Sequence, residues 1–276
     1  MITIMYINTT GLILRETAYK DSSKILTILT GTEGKLTVSA RGALRRNSKL
    51  AAATQLLVFS EMTLFSSRDR WTMTEARSIE QFSGLRSDIV LLSLGSYFAE
   101  LIEAVADEDS PSRELLPLCL NALYALSEGI KEPEYVKPVF EMRLMASSGF
   151  APLLSHCATC GSEEMQRAYL DLSGGTIQCG DCAADSAAAQ GGSGCATAGG
   201  ALLNDAAPNL ISLSGSALSA ARYAIGCDPK KLFSFTLGKS ALREIYTSAE
   251  MYLLTQLDRR FRTLDFYKEM ESGWTL

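Results

Sequence analysis

Histidine is almost missing from this chain: His156 is the only one in 276 residues. A single imidazole argues against Ser-His or Cys-His nucleophilic sites, and no His-Glu-x-x-His occurs. Long apolar runs are lacking too. No stretch approaches the roughly 20 residues that a bilayer-spanning helix needs. No N-terminal stretch joins a basic start to an apolar run and a small-residue cleavage site. Gly238-Lys239-Ser240 has the ending of a phosphate-binding loop, but that motif needs a glycine where Phe233 stands. Cysteines number seven, so they cannot all pair, which suits a reducing compartment. These absences read as a soluble cytoplasmic protein that is neither an enzyme nor a membrane protein.

What is present begins with two Cys-x-x-Cys pairs, Cys157/Cys160 and Cys179/Cys182, with eighteen residues between them. That is the spacing of a four-thiolate zinc site. Each pair can wrap a tight turn around the metal, and two turns complete a tetrahedron of sulfurs. Between them Ala168–Leu172 reads as a short strand and Ser173-Gly174-Gly175 as a turn, so the pairs can close onto one ion from the ends of a hairpin. Four thiolates leave no open position, so the expected Zn2+ is structural. A Cys-x-x-Cys is also found in oxidoreductases, yet two pairs at this spacing favour zinc. His156, next to Cys157, is a bystander once four cysteines are in place.

The formal net charge of -5 hides an uneven distribution. Residues 1–80 carry eleven Lys and Arg against seven Asp and Glu, while the rest carries fifteen against twenty-four. Screening confines surface electrostatics to about 10 Å, so a basic module on an acidic body can bind phosphates locally. The same first eighty residues alternate like strands: 10–16, 23–30, 35–41, a stretch from Gln55 through Phe65, and 71–79. Five strands without intervening helix predict a small closed barrel of oligonucleotide-binding type.

From about residue 85 the period becomes helical. Leu91, Leu94, Phe98, Leu101 and Val105 share one face. A second helix is expected to start at Ser110-Pro111 with Leu115, Leu118, Cys119, Ala122 and Leu126 on its stripe. A third should run from about Glu134 to Ser148 and stop at Gly149. After the cysteine module at 153–183, the Ala/Gly/Ser-rich stretch 183–200 reads as a flexible loop. Two more helices are expected, about Asn209–Ile225 and Lys239–Phe261. The fold class is therefore α+β multidomain. A five-stranded oligonucleotide-binding-type barrel (1–80) precedes a helical domain (81–276) with the zinc module inserted in it.

The most basic stretch is the loop holding Arg41, Arg45, Arg46 and Lys49. It leaves the third strand, where such a barrel presents loops beside its groove, and it suits a flexible phosphate clamp that gives affinity without reading sequence. Arg15, Lys35, Arg68 and Arg70 are further candidates for phosphate contacts in the same module. Trp71 and Tyr19 could stack bases, although alternation places Trp71 with Met73 on the interior face. Asp107-Glu108-Asp109 reads as a solvated loop. Arg259, Arg260 and Arg262 at an expected helix end fit either the helix dipole or a basic rim for an acidic, apolar peptide tail. Cys119, Cys195 and Cys227 have no partner spacing.

In order and spacing these pieces resemble one family over nearly the whole chain: RecO, the recombination mediator of bacterial DNA repair. The resemblance rests on Asp21-Ser22, Gly34 and Ala40-Arg41-Gly42, then on Arg143-Leu144 through Gly149-Phe150-Ala151-Pro152. It continues through Cys157-Ala158-Thr159-Cys160-Gly161, Gly174-Gly175 and Cys179-Gly180-Asp181-Cys182 to Leu264-Asp265-Phe266-Tyr267. It implies binding of single- and double-stranded DNA, annealing of complementary strands, and help in loading RecA onto strands coated by single-strand-binding protein. Implied partners are RecR and the acidic tail of single-strand-binding protein, at the nucleoid. The weighed alternatives are a zinc-dependent hydrolase or nuclease, and a protein-interaction scaffold that does not bind DNA.

Overall fold

The structure, a computed structural model, describes residues 4–67, 70–108, 110–111, 113–189 and 209–273. Two compact units emerge. One takes in the described residues up to Ile130 together with those from Phe261 onward, and the other is Lys131–Arg260.

The first unit is built on a closed barrel of β1 (Ile4–Tyr19), β2 (Ser23–Thr30), β3 (Lys35–Ala40), β4 (Phe59–Ser67) and β5 (Arg70–Glu80), in the order β1-β2-β3-β5-β4. β1 is far longer than the expected 10–16 because it serves two partners. Its first half pairs with β4 from Ile4↔Ser67 to Leu12↔Phe59, and its second half with β2 from Gly11↔Thr30 to Tyr19↔Ser23. Gly11 sits at the handover, where a Cβ would lie 2.7 Å from Ile28 and 2.9 Å from the Leu29 carbonyl. The parallel pairing of Val38 with Trp71 closes the circle. Ile13, Leu26, Ile28, Leu36, Val38, Met62, Leu64 and Met73 fill the interior, with Trp71 half-buried against them. That is the core position its alternation with Met73 predicts.

β4 begins at Phe59 rather than near Gln55. Leu57 adopts a left-handed φ of 61° and its amide donates to the Ile13 carbonyl, so the apolar run 56–58 anchors a turn against β1. Helices α1 (Ser83–Arg86), α2 (Ile89–Val105) and α3 (Leu115–Ser127) follow, along with a C-terminal helix Arg262–Gly273 that packs on α2. Asp88 caps α2 by accepting from the amides of Val90 and Leu91. α3 starts four residues after Pro111, not at it. The chain ahead of α3 is used otherwise. The Lys35 amide donates to the Asp107 carbonyl and Lys35 forms a parallel backbone β-bridge with Glu108, so the chain at 107–108 is tied to the barrel. There Gly34, at φ +72°, turns so close to the Ser110 backbone that a Cβ would lie 2.3 Å from its carbonyl oxygen.

The second unit contains α4 (Pro133–Ser147), β6 (Leu153–Cys157), β7 (Arg167–Asp171), β8 (Thr176–Cys179), α5 (Gly180–Ala189), β9 (Leu210–Ser214), α6 (Gly215–Gly226) and α7 (Lys239–Leu257). Its sheet has the order β6-β8-β7-β9, and α4 packs on α6 and α7. Three expectations are corrected here. Residues 183–189, read as flexible, belong to α5, and 190–200 lie outside the described residues. The stretch 210–214, read as helix, is β9. Ile211 and Leu213 turn inward from it, it pairs antiparallel with β7, and Ser214 then caps α6. The last expected helix, Lys239–Phe261, ends four residues early at Leu257, where Asp258 takes a left-handed φ of 44°, and a further helix that was not expected, α8, begins at Arg262.

A pinned basic loop and a four-cysteine cluster

The loop between β3 and β4 is a chain of hydrogen-bonded turns, not the slack clamp its composition suggests. The Arg45 amide donates to the Gly42 carbonyl at 3.1 Å and the Ser48 amide to the Arg45 carbonyl at 3.0 Å. The Thr54 hydroxyl donates to the Leu50 carbonyl and the Ser60 hydroxyl to the Ala53 carbonyl. Ala43 and Leu50 drop into the barrel core. With Ala43 and Leu50 buried, the loop leaves Arg41, Arg45, Arg46 and Lys49 exposed. None of the four joins an ion pair among the described residues, and the same holds for exposed Arg70 at the start of β5.

The other candidate cations of this unit are placed differently. Arg15 reaches the Glu103 carboxylate at 2.9 Å, and the half-buried Lys35 ammonium donates to the Glu103 carbonyl at 2.9 Å. Both are drawn to the last turn of α2, where helix carbonyls favour positive charge. They therefore hold internal partners rather than standing free like the loop cations. Arg68 lies outside the described residues.

The four cysteines meet. Cys157 ends β6, Cys160 follows in the turn, Cys179 ends β8 and Cys182 sits in the first turn of α5. Their sulfurs all lie within 4.8 Å of one another, and Cys160 Sγ is 3.8 Å from Cys179 Sγ. With zinc–sulfur bonds of about 2.3 Å, a tetrahedron separates its sulfurs by about 3.8 Å, so the donor set fits such an ion. The approach is not from the two ends of one hairpin. β7 and β8 form the hairpin, but the first pair arrives on β6, which runs parallel to β8.

Backbone geometry supports the cluster. Gly161, at φ +76°, lets its amide donate to the Cys157 carbonyl, while the Ser162 carbonyl accepts from the Cys157 amide. The Cys179 amide donates to Cys157 Sγ at 3.3 Å. Burial pushes the Cys157 thiol up, but backbone amides of Cys160, Cys179 and Thr159 outweigh it and bring the pKa down to about 6. Cys182 is moved the other way, chiefly by the neighbouring Cys179 sulfur. His156 is exposed, bonded through Nδ1 to the Ser155 hydroxyl, and stands apart from the cluster. Arg222 of α6 holds the strand that carries Cys157, donating to the Leu154 carbonyl at 2.7 Å and the Ser155 carbonyl at 2.9 Å.

Of the C-terminal arginines, Arg259 and Arg260 follow the end of α7 and line an open depression of about 440 Å³ with Leu254, Thr255 and Asp258. Arg262 instead opens α8. Composition and motif reading missed one site altogether. Lys137 is fully buried on α4, with its ammonium 2.9 Å from Glu141 and 2.8 Å from Glu250 of α7, over the ring of Tyr246. The one signal it leaves in the chain is a Lys and a Glu four residues apart among Val136, Val139, Phe140 and Met142.

An oligonucleotide-binding-type barrel carrying exposed loop cations, continued by helices and a sheet that gathers four cysteines, defines the architectural class. Residues 4–82 match the family described as "Recombination protein O N terminal", and residues 86–265 match "Recombination protein O C terminal". The chain belongs to the RecO family. It is 30% identical over 266 residues to the DNA repair protein RecO of Acetivibrio thermocellus, covering 96% of this chain and 98% of that one. It is 28% identical over 262 residues to the protein of the same name from Caldicellulosiruptor bescii, covering 95% and 98%. With that of Symbiobacterium thermophilum it shares 29% over 270 residues, covering 96% and 98%.

Proposed function

We propose that this chain is a DNA repair and recombination mediator that binds single- and double-stranded DNA through its barrel, anneals complementary strands, and helps load RecA onto strands coated by single-strand-binding protein. The observation that carries this reading is the row of exposed, internally unpaired cations Arg41, Arg45, Arg46 and Lys49 on a pinned barrel loop, in a chain of the RecO family. Phosphate neutralisation would lower the repulsion between two strands while leaving base edges free, so annealing needs no bond chemistry and no nucleotide. Exposed Arg70, at the start of β5, is a further candidate for phosphate contact. Four thiolates would fill a tetrahedral ion's coordination, which supports a structural Zn2+ held by Cys157, Cys160, Cys179 and Cys182. RecR and the acidic tail of single-strand-binding protein are the proposed partners. The depression lined by Leu254, Thr255, Asp258, Arg259 and Arg260 sets two arginines beside one apolar side chain, which supports it as the place for that tail, with Arg262 a further candidate. Work at the nucleoid follows from this role.

The test is fluorescence anisotropy of a labelled single-stranded oligonucleotide across a salt series. Contact with three or four phosphates gives a log-log slope of about -2 to -3. Replacing Arg41, Arg45, Arg46 and Lys49 by Ala should weaken binding and flatten that slope. A slope that the fourfold variant leaves untouched removes the loop from the reading.

A further inference from the structure

The tip of the β1–β2 hairpin holds an aromatic ring that the loop cations do not account for. Tyr19 is 47% exposed. It pairs with Ser23 across the hairpin, and Lys20 beyond it takes a left-handed φ of 54°. For a residue with a Cβ that conformation is costly and uncommon. Here it accompanies a definite arrangement, with the Lys20 ammonium 5.3 Å from the centre of the Tyr19 ring. A ring has two faces, and one cation beside it leaves apolar surface to cover.

The basic loop is fastened to this tip. The Leu44 amide donates to the Ser22 carbonyl at 3.0 Å, and the Gly42 amide to the Ser23 hydroxyl at 3.4 Å. Leu44 itself is 46% exposed. The pairs Thr17↔Ile25 and Ile25↔Ser39 put small and apolar side chains in one cross-strand row on the outer face of the barrel. The row of Tyr19 and Ser23 lies two residues along the same face. The row of Thr17, Ile25 and Ser39, the Tyr19 ring beyond it and the backbone of the basic loop at Gly42–Leu44 are thus neighbours on the barrel. Asp21 is the exposed acid at the tip, against Lys20, Arg41, Arg45, Arg46 and Lys49.

We propose that Tyr19 is a stacking residue for an unpaired base, so that the ring sets this chain's preference for single over double strands while the loop arginines supply affinity common to both. The inference rests on the DNA-binding reading above and adds to it the residue that separates the two substrates. The chemistry favours this occupant. Every unpaired base has a free π-face, whereas a duplex presents its bases already stacked, and aromatic platforms beside cationic grooves are how barrels of this type hold single strands.

The experiment uses the full chain, a labelled twenty-nucleotide oligothymidine and a labelled duplex of equal length, each across a salt series. Tyr19→Ala should weaken oligothymidine binding about five- to a hundredfold. It should leave the salt slope unchanged, since no phosphate contact is lost. Duplex affinity should stay within about twofold. Tyr19→Phe keeps the ring and should restore single-strand binding, which separates stacking from a collapsed hairpin. Equal losses on both probes, or an unchanged Tyr19→Ala, overturn the inference while the wild type's own binding keeps the DNA-binding reading intact. A wild type that binds neither probe at low salt overturns both.

Discussion

Lys137 places a full positive charge where no solvent reaches, held between Glu141 and Glu250. Burial alone lowers the pKa of its ammonium, but Glu141, then Tyr246 and Glu250, more than offset this and carry it above the usual lysine range. Because the folded value is raised, the charge's contribution to stability is complete below the unfolded lysine value of about 10.4. It is lost only as strongly alkaline pH passes the folded value. Removing the cation leaves two carboxylates against each other in an apolar layer. Lys137→Met should therefore cost about 3–5 kcal/mol, seen as a Tm lower by on the order of 10 °C. The double variant Lys137→Met with Glu141→Leu should recover part of that loss, because it no longer strands the Glu141 carboxylate. Thermal unfolding followed by circular dichroism decides it, and a Lys137→Met as stable as wild type would show that the pair is offset by its own desolvation.

At the scale of elements, β6 matters most because it ends on Cys157 and leads into the turn that holds Cys160. It is short, and its pairing with β8 is interrupted between Leu153 and Cys157. Arg222 compensates by gripping the carbonyls of Leu154 and Ser155 from α6. For the zinc proposed at the four thiolates, Arg222→Ala should weaken affinity about 10–100-fold, the usual penalty for losing a contact that supports a ligand. Competition against a chromophoric chelator measures this, and an unchanged affinity would mean that sheet pairing alone orients Cys157. The same scale shows where the chain's pattern misleads. β9 is five residues long, too few for alternation to outweigh the helical periodicity of the Ala-rich stretch that continues from it. Its identity comes from β7, which supplies the hydrogen bonds. α7 likewise stops short of the expected Phe261, where Asp258 turns left-handed and residues 258–261 lead to α8.

Over the whole molecule, the chain leaves the first unit after Ile130 and rejoins it at Phe261, so the cysteine sheet lies within a segment whose two ends both connect to the barrel-bearing unit. Stripping a metal from the four thiolates should act on that segment. With a strong chelator, hydrogen exchange should accelerate in 153–189 and 210–214, while the barrel strands keep their protection and oligonucleotide affinity changes less than about twofold. Exchange that rises equally in β1–β5 would show the ion to be a determinant of the entire fold.

What depends on near neighbours could be read along the chain. Alternation along β2 and β3, the apolar stripes of α2 and α3, the glycine that follows α4 and the two Cys-x-x-Cys spacings are all local in the chain, where residue type acts on the adjoining backbone. The exposed basic loop was legible for the same reason. Features that hinge on which distant segments meet came from folding. It made β1 a strand shared by β2 and β4, brought β9 to β7, and set Cys157 on a strand outside the hairpin. It also enclosed Lys137 between two helices and drew Arg15 and Lys35 to the end of α2, leaving the loop cations and Tyr19 facing solvent. A charged side chain looks alike in sequence whether it ends against a buried carboxylate or in water, and the free energy that separates the two fates arises only once the chain has folded around it.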